Sequence, residues 1–364
     1  MNIPEHRKAI DKLDAQIVRL LNDRTTHVLQ IGELKVKAGE AIYAPPRELA
    51  ILQRICKLNH GPVRDDSLRA IYREIMSSAL SLEKSMTIAY LGPEATFTHQ
   101  AAVQRFGASL RYSAQKTIAD IFTEVSRNRA DYGVVPVENS TEGVVTHTLD
   151  MFMDSPLQIV AQIVLPIQFC LAGHADFKDV RRLYSHAQAL AQCRIWVQRN
   201  LPKAEIIETS SNARSAELAA QAARDDDEES ELRGKVAAIT GLLAAEKYKL
   251  PLIRRDIQDF TENATRFLVL GRQCGPPTGR DRTSLMFSIA DEVGALYRAL
   301  APFQRFKLNM TKIESRPSKR KAWEYFFFVD CDGHVTDSKV AKAIATLEQV
   351  CNFVKVLGSY PNTD

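Results

Sequence analysis

The stretch GVVPVENSTEGVV, Gly133 to Val145, decides how the middle of this chain is read. Its valines have the β-branched density of a buried strand. The run then breaks into Glu138, Asn139, Ser140, Thr141 and Glu142, before a glycine and apolar residues again. Five consecutive side chains able to hydrogen-bond are more than a turn requires. A polar loop at a strand end is where an α/β fold receives a small polar ligand.

On either side of that loop, β-rich runs at 88–91, 132–137, 157–165, 182–184, 206–208, 236–239 and 266–270 alternate with helical patterns. This predicts an α/β domain over 86–272 with mostly parallel sheets. The charge run RDDDEESE at 224–231 reads as a solvated loop without function. A Gly- and Pro-rich linker, GRQCGPPTGRDR, leads into a third domain at 283–364. There the order strand, helix, strand, strand, helix, strand is that of an α+β ferredoxin-like unit. Residues 1–85 are all-α by pattern: Ile10, Leu13, Ile17, Leu20, Leu21, Val28, Ile31 and Leu34 recur at helical spacings. A first helix ending at Gly39 would be roughly 50 Å long, too long for one small domain to cover, so a second copy of the chain is expected against it. Further helices are expected at about 46–58 and 66–84.

Composition narrows the function. With 45% hydrophobic and 25% charged residues the chain is ordinary globular protein, and a net charge of +4 with dispersed basic residues calls for neither nucleic acid nor membrane. No apolar run approaches a membrane span, and the charged N-terminus lacks the apolar core of a secretion signal, so a cytoplasmic location is expected. Six scattered cysteines without a CxxC pair read as reduced thiols, the histidines lack metal-ligand spacing, and Cys56 and His60 form only a lone CxxxH. No metal is expected, and without GxGxxG, GKS/T or GxSxG the dinucleotide, P-loop and serine-hydrolase readings have no support.

Charges stand where the helices should be apolar. Arg24 and Lys35 are eleven residues apart and share the face carrying Leu20, Leu21, Val28 and Ile31. Buried cations are costly without anions, so an anionic ligand is expected beside them. Arg7 sits some 100° away on the helix, placed to serve a partner's site. Pro46, Arg47 and Glu48 open the second helix, and Glu83 lies beside Met76, Ala79 and Leu80, where its proton would be held more tightly.

This arrangement over 1–85 resembles the all-helical chorismate mutases. The resemblance implies that Arg7 (from the dimer partner), Arg24, Arg47 and Glu48 bind chorismate, while Lys35 and Glu83 face the ether oxygen. Ala44 stands where some members have Asp, and Ala79 where some have Ser, so weakened substrate binding is expected at most. Over 86–272 the pieces GPEATFTH, VPVENSTEG, SHAQALAQC and TRFLVL occur in the order and spacing of the prephenate dehydratases. That resemblance implies two α/β lobes like those of periplasmic solute-binding proteins, with prephenate in the cleft. Thr265 would donate to the leaving hydroxide, Arg266 and Phe267 would organise the pocket, and Asn139, Ser140, Thr141, Ser185 and Gln192 would position the substrate. Over 283–364 GALYRAL and ESRP resemble ACT regulatory modules. They imply L-phenylalanine bound between Gly294, Ala295 and Leu296 of one subunit and Glu314, Ser315, Arg316 and Pro317 of another. Together the resemblances imply a bifunctional, cofactor-free enzyme of phenylalanine biosynthesis, inhibited by its end product and at least dimeric. An amino-acid sensor without catalysis, and an arogenate dehydratase, are the alternatives.

Overall fold

The computed structural model describes residues 2–40, 42–222, 232, 234–318 and 324–363, so the acidic run at 224–231 lies outside the described residues. Two units form. The first comprises Met1–Thr87 together with Arg105–Arg111, and the second Ile88–Gln104 with Tyr112–Asp364.

The first unit is three helices, α1 (Ile3–Ala38), α2 (Pro45–Leu58) and α3 (Asp65–Glu83). Asn2 starts α1 through a reciprocal cap, its Oδ1 accepting from Glu5 N at 3.0 Å while Glu5 Oε2 accepts from Asn2 N at 2.9 Å. Gly39, at φ 70°, ends it in the left-handed region. The helix passes through Gly32, the one buried residue of α1. A Cβ there would come 2.7 Å from Glu83 Oε2, so the missing side chain gives the α3 carboxylate its seat. On the remaining surface Ile10, Leu13, Ile17 and Leu20 are 52–59% exposed within one chain.

The second unit holds three sheets. In the first, β1 (Thr87–Leu91), β2 (Arg111–Gln115), β3 (Tyr132–Asn139), β4 (Gly143–Val144), β5 (Gln158–Pro166) and a late strand, β11 (Ala264–Gly271), follow the order β2-β1-β3-β11-β5, with β4 on β3. In the second, β6 (Cys170–Gly173), β7 (Arg182–His186), β8 (Glu205–Thr209), β9 (Val236–Thr240) and β10 (Leu252–Arg254) follow β10-β6-β9-β7-β8. One helix, α4 (Phe97–Phe106), matters below. The expectation of mostly parallel sheets is corrected: β1·β3, β7·β8 and β7·β9 are parallel, but β11 runs antiparallel to both β3 and β5, and β6 is antiparallel to β9 and β10. The reason is the route of the chain. It leaves the first lobe along β5, builds the second lobe, and returns along β11 beside the strand it left by, so that the two neighbours oppose.

The last sheet contains β12 (Asp281–Ser288), β13 (Met310–Pro317), β14 (Tyr325–Asp332) and β15 (Phe353–Pro361) in the order β13-β14-β12-β15, every pair antiparallel. Leu285, Phe287 and Val329 pack under the helices Ala295–Arg305 and Ser338–Val350. The opposite face gives Met286, Phe326, Phe328 and Leu357 to a core shared with Ile159 and Leu268 of the first lobe. Coverage on both faces explains why every residue of β12 is buried.

Candidate functional site

The three helices of the first unit surround a cavity of about 510 Å³. Arg24, His27 and Lys35 reach it from α1, Arg47, Glu48 and Arg54 from α2, and Glu83 from α3. Of the residues expected around chorismate, only Arg7 is elsewhere; it is exposed, about 25 Å from Arg24 along α1. His27 and Arg54 were not anticipated. Each follows from helical spacing, His27 three residues after Arg24 and Arg54 seven after Arg47.

The cavity's electrostatics suit an anion. Arg24 Nη1 is buried and has no hydrogen-bond partner among the described residues. An unpaired buried donor costs about 1–3 kcal/mol, which a bound carboxylate would relieve. Lys35 Nζ donates to Ile42 O at 2.9 Å, leaving two of its three donor positions for a ligand. Burial pushes the Glu83 carboxyl above its ordinary range, against the opposing charge of Lys35. Burial likewise raises Glu48, opposed by Arg105.

In the second unit the Glu138–Glu142 loop is held by a web of amides. Asn139 Nδ2 donates to Thr265 Oγ1 at 2.8 Å and to Asn263 Oδ1 at 3.0 Å. Asn139 Oδ1 accepts from Thr141 N (2.9 Å), Thr141 Oγ1 (2.6 Å) and Glu142 N (3.0 Å). Gln192 Nε2 donates to Thr141 Oγ1 at 3.1 Å, while Asn263 Nδ2 donates to Gln192 Oε1 at 2.6 Å. Strand pairing makes this possible, since β11 sets Thr265 opposite Asn139. Ser140 Oγ closes the same turn, donating to Glu262 O at 3.1 Å and accepting from Ala264 N at 3.0 Å. Asn139, Ser140, Thr141, Gln192 and Thr265 are thus one cluster. Ser185, buried at the end of β7, donates to His186 O at 3.1 Å. Asn263 was missed. Its only sequence signal is its place at the head of the NATRF segment.

Arg266 and Phe267 have different surroundings from Thr265. Arg266 pairs with Asp330 at 2.8 Å and Glu138 at 3.0 Å, and Lys312 reaches Glu138 at 2.9 Å. Burial disfavours the Arg266 charge, but Asp330, Tyr360 and Glu138 more than compensate and its pKa moves up. Phe267 is a core side chain at 2% exposure. Alternation along a strand sends Arg266 to the face opposite Thr265.

A cavity of about 430 Å³ lies at the start of the helix Ala295–Arg305. Gly294, Ala295 and Leu296 line it with Glu292, Glu324, Tyr325 and Asn352. Gly294 has φ 78°, a conformation that glycine adopts without steric cost. Glu314, Ser315, Arg316 and Pro317 lie on β13 and do not line this cavity; Arg316 pairs with Asp150 at 3.2 Å.

Comparison with known proteins finds three family models along the chain. Residues 6–84 match the family model "Chorismate mutase type II", 88–275 "Prephenate dehydratase", and 283–349 "ACT domain". A bifunctional chorismate mutase/prephenate dehydratase of Aquifex aeolicus is 48% identical, over 99% of this chain and 98% of its own. The chain belongs to that family. The Neisseria gonorrhoeae member is 46% identical over 98% of this chain and 96% of its own. Among solved structures, an Arthrobacter aurescens prephenate dehydratase in complex with L-Phe superimposes with a TM-score of 0.68 at 35% identity, covering 77% of this chain and 91% of that one. Family membership agrees with the expected fold: an all-α mutase part, a two-lobed α/β dehydratase part and a ferredoxin-like ACT part. Among the described residues no helix is long and apolar enough to cross a membrane.

Proposed function

We propose that the helical cavity is where chorismate is rearranged to prephenate, and that the cluster around Asn139 and Thr265 is where prephenate loses carbon dioxide and water to give phenylpyruvate. The chain is a bifunctional chorismate mutase and prephenate dehydratase. The working division is 1–85, 86–272 and 283–364. The observation that carries the mutase reading is the orphaned Arg24 Nη1 in a cation-lined cavity. Chorismate carries two carboxylates, and Arg24 and Arg47 are the cations to hold them. The rearrangement is pericyclic, so no nucleophile is needed. Fixing the chair-like conformer and stabilising charge on the breaking C–O bond suffice. Lys35 and a protonated Glu83 supply the donors at that oxygen.

For the dehydratase, the hydrogen bond from Asn139 occupies a lone pair of Thr265 Oγ1 and leaves the hydroxyl proton without an acceptor among the described residues. That proton is free to be donated to the departing hydroxide. Electrons from the breaking C–CO2 bond enter the ring as the C–O bond breaks, and aromatisation drives both. Ser140, Thr141, Ser185 and Gln192 orient the substrate. Arg266 and Phe267 act from behind, by fixing β11 and Glu138.

Phenylalanine is assigned to the cavity at Gly294–Leu296, where the backbone start of a helix receives its carboxylate; the ESRP segment, Glu314–Pro317, would come from another subunit. We further assign a homodimer or larger oligomer, acting in the cytoplasm, in which the exposed apolar face of α1 is covered by a second copy that supplies Arg7. Assays with chorismate and then prephenate, with and without phenylalanine, test the whole reading. A chain turning over neither substrate would overturn it, as would one insensitive to phenylalanine for the regulatory part.

A further inference from the structure

Glu48 raises a problem for a cavity built to hold a dicarboxylate. Its carboxylate lines the space that Arg24, His27, Lys35, Arg47, Arg54 and Glu83 also line, and it would repel the substrate's anionic groups unless another task held it there. The substrate's remaining polar group is a hydroxyl, which a carboxylate can receive. An ionised carboxylate has about four acceptor positions on two oxygens, so it can take a fixed partner and a ligand together.

The fixed partner is present. Arg105 Nη2 sits 3.0 Å from Glu48 Oε2, with the two side chains 21% and 14% exposed. The Arg105 guanidinium lies 5.6 Å from the centroid of the Tyr43 ring, which in turn packs on Phe106 at 4.9 Å. The segment around it is tied to α3 within the first unit: Ala108 N donates to Glu74 Oε2 at 3.0 Å and Ser109 N to Ser77 Oγ at 3.2 Å. In sequence, however, Arg105 lies outside the 6–84 mutase match and inside the 88–275 dehydratase match.

We propose that Arg105 is a positioning residue for the chorismate rearrangement, anchoring Glu48 through Oε2 so that Oε1 remains a fixed acceptor for the substrate hydroxyl. The inference rests on the helical cavity being the mutase site. It means that the mutase site is completed by a residue from the dehydratase part of the sequence. Arg105, and after it a hydrogen bond from Tyr43, opposes the burial that raises the Glu48 pKa, and so favours the ionised acceptor. The sign follows. Activity that needs ionised Glu48 is present above its folded pKa and is lost as pH falls through it, so removing Arg105 moves the acid limb to higher pH.

The test compares full-length Arg105→Lys and Arg105→Gln, both long enough to fill the space, with His27 and Glu83 left unchanged. Arg105→Gln is expected to raise the KM for chorismate, to lower mutase kcat/KM at neutral pH by about 10- to 100-fold, and to shift the acid limb upward. Arg105→Lys keeps the limb near wild type. Prephenate turnover stays unchanged in both. In a Glu48→Gln background the Arg105→Gln change adds nothing further. Matching mutase profiles in the Lys, Gln and wild-type proteins would overturn the proposal, as would equal displacement by Lys and Gln. If Arg24→Met in the same assay left the mutase intact, the cavity assignment itself would fail. Loss in Arg24→Met with wild-type behaviour at position 105 removes only the role of Arg105.

Discussion

Arg24→Met separates binding from folding. The substitution keeps an apolar stem and removes the guanidinium whose Nη1 is buried without a partner among the described residues. A lost cation against a desolvated carboxylate costs about 2–5 kcal/mol. Arg24 is only partly buried, which places the effect near the lower end. At about 2–3 kcal/mol, kcat/KM for chorismate should fall by about 30- to 150-fold. Stability should move the other way or not at all, because the unpaired donor is itself a cost of about 1–3 kcal/mol in the empty site. Chorismate consumption followed by ultraviolet absorbance gives the first number, denaturant unfolding of the same preparations gives the second, and prephenate turnover serves as the internal control. A drop in stability together with parallel loss of both activities would show that Arg24 is a structural residue. A mutase kcat/KM within about threefold of wild type would show that no carboxylate meets it.

Glu83 should act protonated. Burial raises its carboxyl against the influence of Lys35, so mutase activity is present below the folded pKa and declines as pH rises through it, and Glu83→Gln should flatten that limb; an unaltered limb removes Glu83 from the reacting bond. Gly32→Ala should disturb the same carboxylate, since its Cβ would sit 2.7 Å from Oε2, lowering mutase activity with little loss of helix stability; unchanged kinetics would mean that Glu83 adjusts freely. Thr265→Ala should cut prephenate turnover by about 10²- to 10⁴-fold while chorismate is still consumed and prephenate accumulates; full turnover would pass the donor role to Ser185 or a water. Gly294→Val places a β-branched residue at φ 78° and should raise the phenylalanine concentration needed for inhibition, which calorimetry and inhibition curves can both read.

Much of this was legible in the order of residues because it depends on local periodicity and short motifs. The run from Ile10 to Leu34 specifies a helix wherever it lies, and α1 extends from Ile3 to Ala38, ended by Gly39 as expected. Cations at Arg24 and Lys35 on an apolar face already pointed to an anion, since their spacing is a property of the helix alone. The loop at Glu138–Glu142 was marked by its own composition. What pairs across the chain was not. Nothing in TRF tells which neighbour each side chain meets; the register of β11 between β3 and β5 puts Thr265 against Asn139 and turns Arg266 to Asp330 and Glu138. The mixed direction of the first sheet follows from a return strand whose partners lie far back in the chain. Arg105 carries no signal at all in its own helix, because what distinguishes it is a carboxylate 57 positions earlier that only folding brings to 3.0 Å.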